Sequence, residues 1–254
     1  MLLAIDIGNT NITIGGFEEQ VLKFTSRLAT DHKRMEDQYA IEIRDILDIN
    51  GVHISDITGS VISSVAPGVT GYLDGAVKKL TGIKSLIVGP GVKTGLNIKI
   101  DNPAQLGADL VAVSVAALAQ FPSPNVVCDL GTATTLTVLD RSGSMIGGII
   151  LAGVKTGLNA LVSNTSLLQQ VSCEAPERVI GRNTIECMQS GVVLGTAAML
   201  DGLIERIEQE LGCEVTAIAT GGLAPLVVPH CKTKFILSDN LVLEGLRIIY
   251  HKNI

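Results

Sequence analysis

The chain repeats one arrangement of apolar and polar positions in two places. Residues 5–14 run as an apolar strand, an acid, an apolar residue, a glycine, a small polar cluster and an alternating second strand. Residues 128–138 follow the same order, and each copy ends in a turn before a third strand, at 21–28 and at 144–151. Two copies of one strand–turn–strand unit predict two similarly built halves.

Outside these copies, apolar residues recur at helical spacing. Between 31 and 49, Met35, Tyr39, Ile43 and Ile46 mark one face of a helix. Shorter apolar runs predict further strands, so each half mixes strands with helices and the chain is predicted to be an α/β protein. The predicted helices cover 31–49, 67–80, 153–165, 184–211 and 241–250, and the predicted strands cover 61–65, 85–88, 214–219 and 234–237.

The helix predicted at 184–211 carries a start signal. Asn183 can cap it, and Glu186, three residues later, can reach back to close a capping box. Met188, Val192 and Met199 then mark an apolar face. We therefore expect this long helix to begin at Thr184.

Composition and charge exclude some classes of protein. The chain has 254 residues, 46% of them hydrophobic, so it can bury a substantial core. Its net charge of −6 and its pI near 5.2 argue against a nucleic-acid-binding protein, which needs a basic surface to meet phosphates. Five scattered cysteines without a CxxC pair, and four histidines without metal-ligand spacing, predict reduced thiols and no zinc site.

The apolar segments do not predict a membrane protein. The N-terminus lacks the basic start and the longer apolar stretch of a signal peptide. The uncharged stretch from Leu110 to Cys128 contains Pro122 and Pro124, so it is interpreted as a buried helix, a turn and a strand. We expect a cytoplasmic protein without a membrane partner.

The first repeated turn suits a phosphate group that is bound with a cation. Gly8 permits close approach of the backbone, and the hydroxyl and amide groups that follow add donors. Asp6 would repel a bare phosphate, so its place here makes sense with Mg²⁺, which binds carboxylates together with phosphate oxygens. Alone, this motif is also compatible with an Asx turn in a plain hairpin. The second copy, at Asp129 to Thr132, favours a nucleotide held by two facing hairpins.

Asp109 is the candidate catalytic group. It is the only acid between Asp101 and Asp129, it follows a glycine, and it lies in an apolar helical stretch near the seam between the halves. A carboxylate there could accept the proton of a substrate hydroxyl as the hydroxyl attacks a γ-phosphate. The alternative is a carboxylate that serves only the N-terminal dipole of its helix.

Other sequence motifs favour phosphoryl transfer over competing chemistries. The chain contains neither G-x-G-x-x-G nor G-x-x-x-x-G-K-[ST], and it has no G-x-S-x-G elbow. Glycine clusters at 147–153 and 220–224 each end a strand and start a helix. Such turns can aim a helix N-terminus at a ligand, although ordinary tight packing explains either cluster equally well.

Taken together, these motifs resemble the type III pantothenate kinases, members of the actin and sugar-kinase superfamily. The resemblance spans nearly the whole chain, and its ordered set of motifs is far more specific than any single one. It implies two actin-like (ribonuclease H-like) domains, each a mixed sheet with flanking helices, with the active site in the cleft between them. The motifs are Asp6-Ile7-Gly8-Asn9-Thr10, Asn102-Pro103, Gly107-Ala108-Asp109, Asp129-Leu130-Gly131-Thr132, Gly147-Gly148-Ile149, Gly181-Arg182-Asn183-Thr184, Gly191, Thr220-Gly221-Gly222 and Leu243-Glu244-Gly245-Leu246.

The resemblance also implies a domain division and an activity. The domains would cover 1–115 and 116–254, with the final helix able to pack back on the first domain. The family phosphorylates pantothenate with ATP to give 4′-phosphopantothenate, the first step of coenzyme A biosynthesis. Its members are homodimers with shared active sites, and they require a monovalent cation, K⁺ or NH₄⁺, besides Mg²⁺.

Residue roles carry over from the resemblance position by position. Asp109 would be the catalytic base, Asp129 would help bind the monovalent cation, and Asp6 would help place Mg²⁺. Thr184 would close the pantothenate pocket from the other subunit. The ATP-binding residues would be Asp6, Ile7, Gly8, Asn9, Thr10, Asn11, Ile12, Thr13 and Thr132, and the pantothenate pocket would be lined by Gly107, Ala108, Asp109 and Leu110.

Three positions depart from the family pattern. Leu110 stands where relatives usually have Arg, Ile100 where they have Tyr, and Ala152 where they have Pro. Loss of an Arg–carboxylate contact typically costs about 1.5–3 kcal/mol of binding free energy. Two alternatives follow: a kinase of another small alcohol on the same fold, or a non-catalytic nucleotide-binding regulator. Retention of Asp6, Asp109, Asp129 and Thr132 counts against lost catalysis.

Overall fold

The chain divides into two compact units. The structure, a computed structural model, describes all residues from Met1 to Ile254. Unit 1 comprises Met1–Leu96, Asp101–Ala116 and Leu241–Ile254, and unit 2 comprises Asn97–Ile100 and Ala117–Asn240. The predicted division at 115/116 allowed the final helix to pack on the first domain, and this helix is part of unit 1. The division did not include the short segment Asn97–Ile100, which belongs to unit 2.

The strands follow the predicted meanders closely. They are β1 (Leu2–Ile7), β2 (Asn11–Glu18), β3 (Val21–Ala29), β4 (Gly59–Ser64), β5 (Leu86–Ile87), β6 (Asn97–Ile98), β7 (Asn125–Leu130), β8 (Ala133–Leu139), β9 (Ser144–Ala152), β10 (Thr216–Thr220) and β11 (Ile236–Leu237). Only β6 was not predicted.

The helices also confirm the predicted periodicity. They are α1 (Glu36–Ile49), α2 (Pro67–Thr81), α3 (Ala108–Gln120), α4 (Val154–Ser163), α5 (Thr184–Gln189), α6 (Gly195–Leu211), α7 (Ala224–Val227) and α8 (Leu241–His251). The prediction that α1 starts at 31 was wrong. The carboxylate of Asp31 accepts the N–H of Lys33 at 2.9 Å, and Tyr39 donates to the Asp31 carbonyl at 2.8 Å, so this segment forms a turn ahead of the helix.

The two sheets share the order of five strands, and sheet 2 has one further strand, β6, beside β9. Sheet 1 runs β3-β2-β1-β4-β5 and sheet 2 runs β11-β10-β7-β8-β9-β6. In each, an antiparallel meander of three strands is extended by two parallel strands beside its first strand. The fold is thus a two-domain, actin-like α/β architecture, and the predicted internal repeat is a repeat of topology.

Each sheet has its own hydrophobic core. In unit 1, β1, β2 and β4 pack against α1 and α2, and in unit 2, β7 and β8 pack against α4, α6 and α7. Buried residues of the first core include Leu3, Ile5, Ile7, Ile12, Ile14, Tyr39, Ile43, Ile62 and Leu73. Buried residues of the second include Val126, Cys128, Leu130, Leu136, Val154, Leu200, Ile204 and Ala219.

Helices α5 and α6 form one continuous helical stretch from Thr184 to Leu211, joined by a π-helical segment at Ser190–Leu194. The π segment has no signal in the apolar periodicity. At 28 residues this is the one helix long and apolar enough to cross a bilayer by length and composition, a test that core helices of water-soluble proteins also pass. Its buried residues Ala197, Leu200 and Ile204 belong to the core of unit 2.

Candidate active site

Asp6 lies near the end of β1 with a hydroxyl residue on each neighbouring strand. It is paired with Thr13 on β2 and with Ser63 on β4. The Ser63 hydroxyl donates a hydrogen bond to Asp6 Oδ1, and Ser63 itself is fully buried. The residues that the sequence indicated for phosphate binding thus begin with a half-buried carboxylate whose orientation another strand controls.

The β1–β2 turn is held by its own backbone and by β3. Gly8 N–H donates to the Asn11 carbonyl at 3.0 Å, and the Thr30 hydroxyl donates to the Gly8 carbonyl at 2.7 Å. Thr30 N–H also donates to the Thr10 carbonyl at 2.9 Å. Asn9, Thr10 and Asn11 are exposed. Thr30 was missed by sequence reasoning, because its neighbour in space is 22 residues away in the chain.

Two of the predicted nucleotide-binding residues face the core of unit 1. The side chains of Ile7 and Ile12 are fully buried there. The Ile7 carbonyl already accepts the N–H of Val65 at 3.0 Å. Any contact of these two residues with a nucleotide is therefore restricted to their backbone atoms.

The start of α3 lies beside the end of β4. A Cβ on Gly107 would overlap Asp109 Oδ1 and would lie 3.5 Å from Val65 Cγ1, so only glycine leaves room for the Asp109 carboxylate to fold back. Because Val65 also bonds to Ile7, this contact joins the start of α3 to the edge of sheet 1 where β1 and β4 end. Unit 1 thereby brings Asp6 and the Gly107–Leu110 segment to the same edge.

Asp109 is held in a partly buried position. Its Oδ1 accepts the N–H of Leu110 at 2.8 Å. Burial raises the pKa of the Asp109 carboxyl above its ordinary value, and the hydrogen bond from the Leu110 backbone only partly opposes this effect. Such a shift moves a carboxylate toward the range in which it can exchange a proton with a substrate.

In unit 2, Asp129 has the position that Asp6 has in unit 1. It is paired with Thr135 on β8 and with Thr220 on β10, so it too has a hydroxyl residue on each neighbouring strand. The Thr135 Oγ1 atom is buried and has no hydrogen-bond partner. Gly221 has a φ of +91°, and a Cβ there would overlap Asp129 Oδ1, so this glycine closes tightly over the carboxylate.

The tip of the β7–β8 hairpin rests on the start of α4. The Thr132 carbonyl accepts the N–H of Gly153 at 3.2 Å and the hydroxyl of Thr156 at 2.7 Å. A Cβ on Gly153 would overlap the carbonyl oxygens of Gly131 and Thr132. Within the 147–153 cluster, Gly153 alone forms the strand-to-helix turn, whereas Gly147 and Gly148 lie inside β9.

Thr184 begins α5 at the surface of unit 2. The Asn183 side chain accepts the N–H of Glu186 at 2.9 Å, which confirms the predicted cap. The Glu186 carboxylate accepts the N–H of Arg182 at 2.8 Å, one residue before the N–H that a regular capping box uses. Thr184 therefore starts a separate helix, while Asp129 and Thr132 share one hairpin.

Comparison with known proteins decides the family. The sequence model of the type III pantothenate kinases matches residues 2–206. A type III pantothenate kinase from Halalkalibacterium halodurans is 40% identical over 254 residues, and one from Exiguobacterium sibiricum is 41% identical over 253 residues, with 100% of both chains covered in each case. The chain belongs to the type III pantothenate kinase family. It is an enzyme that phosphorylates pantothenate with ATP, the first step of coenzyme A biosynthesis, and neither alternative function is favoured.

A solved structure with low sequence identity shares the architecture of this kinase. The activator of the 2-hydroxyisocaproyl-CoA dehydratase from Clostridium difficile, solved with bound ADPNP, is 13% identical with a TM-score of 0.60. The match covers 97% of this chain and 92% of that one. At this identity the likeness concerns the fold alone, and it agrees with the two similarly ordered sheets.

Proposed function

We propose that Asp109 is the general base of this pantothenate kinase. Its partial burial and raised pKa support this role, and they are the observation on which the proposal mainly rests. As the 4′ hydroxyl oxygen of pantothenate forms its bond to the γ-phosphorus, Asp109 takes the hydroxyl proton. The bond between the γ-phosphorus and the bridging oxygen breaks, and ADP leaves with that electron pair.

The turn from Asp6 to Thr13 binds the ATP phosphates in this proposal. The exposed Asn9, Thr10 and Asn11 offer side-chain and backbone donors, while Ile7 and Ile12 act through the backbone. Thr132, exposed at the corresponding hairpin tip of unit 2, is a further ATP contact. These roles use small polar groups that the turns already orient.

Asp6 fits a role in holding Mg²⁺. Magnesium binds one or two carboxylates together with phosphate oxygens, and Asp6 is a carboxylate at the base of the phosphate-binding turn. The bound ion would neutralise charge on the phosphates during transfer. The hydroxyl of Ser63 fixes one carboxylate oxygen without adding a positive charge that would compete with the ion.

Asp129 fits a role in holding the monovalent cation, K⁺ or NH₄⁺. Both cations are bound by oxygen atoms, and the buried, unpartnered Thr135 Oγ1 lies on the residue paired with Asp129. A bound cation would supply the contact that this hydroxyl lacks. We assign Thr135 to this site together with Asp129.

The pantothenate pocket is proposed to include the segment from Gly107 to Leu110. Leu110 is half-buried in the first turn of α3, and its carbonyl accepts the Ser114 hydroxyl at 2.7 Å. An apolar side chain here cannot pair with the pantothenate carboxylate. This enzyme is therefore expected to bind the carbon backbone of pantothenate at this position and its carboxylate elsewhere.

We further propose a homodimer with shared active sites, in which Thr184 closes the pocket of the other subunit. Unit 2 exposes large apolar side chains close to this residue in the chain: Ile180 is 83% exposed, with Val179 and Ile185 also outside. Such a patch is typical of a protein–protein contact.

The five free cysteines support a cytoplasmic location, and the acidic charge disfavours a nucleic-acid partner.

A measurement of ADP release tests the pantothenate kinase activity and the role of Asp109. Purified enzyme with ATP, Mg²⁺ and K⁺ should turn over only when pantothenate is present, and Asp109→Asn should lose most of that turnover. The exposed acid Asp101 provides the matched control, because Asp101→Asn should keep full activity. Folded enzyme whose Asp109→Asn variant retains normal turnover would exclude Asp109 as the base.

A further inference from the structure

The buried hydroxyl of Ser63 contacts the phosphate-site carboxylate directly. Ser63 lies on β4, next to Asp6 in the parallel register, and none of its surface is exposed. Its Oγ donates a hydrogen bond to Asp6 Oδ1. The two residues are 57 positions apart in the chain, so only the pairing of β1 with β4 brings them together.

Ser64, the next residue on β4, makes different hydrogen bonds from those of Ser63. Successive residues of a strand point to opposite faces. Ser64 Oγ accepts the N–H of Ala66 at 3.0 Å and the hydroxyl of Thr70 at 2.7 Å, so it organises the start of α2. Ser63 takes no part in that network, and its hydroxyl donates to Asp6.

A third serine on the same strand provides a comparison. Ser60 is 1% exposed, and its hydroxyl has no hydrogen-bond partner. A buried hydroxyl on β4 is therefore compatible with the fold even when it makes no hydrogen bond. This makes the bond between Ser63 and Asp6 a specific pairing with the site and not a general requirement of the strand.

We propose that Ser63 is a positioning residue, which sets the rotation of the Asp6 carboxylate for binding of the magnesium–nucleotide complex. This inference rests on the proposed role of Asp6 in placing Mg²⁺. A carboxylate at a strand end can rotate about its side-chain bonds, and a hydrogen bond to one oxygen selects one orientation. Because the donor is a neutral hydroxyl, the carboxylate keeps the negative charge that attracts the cation.

The test measures binding of AMP-PNP, a non-hydrolysable ATP analogue, by titration calorimetry with and without Mg²⁺. The ratio of the two dissociation constants is the magnesium enhancement. In Ser63→Ala this enhancement should fall about tenfold, the lower end of what a hydrogen bond to a charged group contributes. Affinity without Mg²⁺ should remain close to that of the native chain, because the hydroxyl acts through Asp6.

Matched variants separate positioning from general packing. Ser60→Ala and Ser64→Ala should keep the native magnesium enhancement, since neither hydroxyl contacts Asp6. Ser63→Thr, which retains a hydroxyl, should recover most of the enhancement. Ser63→Cys keeps a side chain of similar volume but replaces the hydroxyl by a weaker donor, so it gives a second estimate of the loss of magnesium enhancement. This variant can be used where Ser63→Ala folds poorly.

The outcomes distinguish this inference from the role of Asp6 itself. If Asp6→Asn abolishes the magnesium enhancement while both Ser63→Ala and Ser63→Cys keep it, the positioning role is wrong and the Asp6 role stands. If Asp6→Asn keeps the enhancement, the Asp6 role fails and the Ser63 inference falls with it. The inference is supported if adding Ser63→Ala to the Asp6→Asn variant changes the magnesium enhancement little.

Discussion

Gly245 of α8 packs directly on the backbone of Ala112 in α3. A Cβ at position 245 would overlap the carbonyl group of Ala112, and backbone atoms cannot swing aside as a flexible side chain can. A second close approach occurs nearby, where the Tyr250 ring covers the space that a side chain at Gly59 would occupy. The C-terminal helix is thus part of unit 1, and it packs closely on α3 at Gly245 and on β4 at Gly59.

Gly245→Ala should therefore destabilise the enzyme. Overpacking against fixed atoms typically costs about 1–3 kcal/mol, and we expect the upper part of that range for the free energy of unfolding in urea. The control is Gly71→Ala in α2, where an added Cβ meets nothing within 4 Å. That substitution should be neutral or stabilising by up to about 1 kcal/mol, because alanine favours helix. Equal stability of both variants would contradict the packing argument.

The raised pKa of Asp109 predicts a pH dependence. Proton transfer requires the ionised carboxylate, so kcat should fall as the pH is lowered through a value above the ordinary pKa of an aspartate. Loss of the base in Asp109→Asn should lower kcat by about 10²–10⁴-fold and remove this acidic limb. The measurement is kcat against pH at saturating substrates, and an unchanged limb in the variant would assign it to another group.

The raised pKa of Asp109 also affects the stability of the folded protein. Because burial raises the pKa in the folded state, the folded protein holds this proton more tightly than the unfolded chain does. The ionised carboxylate therefore costs stability at neutral pH; this cost begins to shrink as the pH falls through the folded pKa and is gone below the unfolded pKa. Asp109→Asn should consequently be at least as stable as the native enzyme at pH 7, as measured by urea unfolding.

Thr135→Val should weaken activation by the monovalent cation. The substitution keeps the shape of the side chain and removes the unpartnered hydroxyl beside Asp129, so the K⁺ concentration for half-maximal activity should rise about tenfold. Thr134→Val is the control, because the Thr134 hydroxyl is also buried and unpartnered but points to the opposite face of β8. A parallel loss in both variants would indicate a general effect of the strand.

Ile180→Glu should disrupt the proposed homodimer. Residue 180 is 83% exposed within the apolar patch near Thr184, and a charge buried in an interface carries a large desolvation cost. Light scattering coupled to gel filtration should show a monomer whose pantothenate turnover is reduced. The control is Ile254→Glu, which is 78% exposed at the end of unit 1 and should remain dimeric. A dimeric Ile180→Glu variant would place the interface elsewhere.

Several features of the site could not be predicted from the sequence, because they depend on contacts between residues that are distant in the chain. Thr30 is set against the Gly8 turn by the pairing of β2 with β3, and Ser63 is set against Asp6 by the pairing of β1 with β4. No local pattern marks either residue. The turn at Asp31 was missed for another reason, since residues 31–34 contain no apolar position that could mark where the helical periodicity begins.

The amino-acid sequence by itself determined the two acid-glycine hairpins, the alternation of strands with helices and the candidate base Asp109. These features rest on turn chemistry and on periods of two and 3.6 residues, which act over short stretches of chain. Only the tertiary structure decided that hydroxyl residues lie on both sides of Asp6 and Asp129, and that α8 packs on the backbone of Ala112. Strand order and close backbone contact select those partners, and both join residues that are distant in the chain.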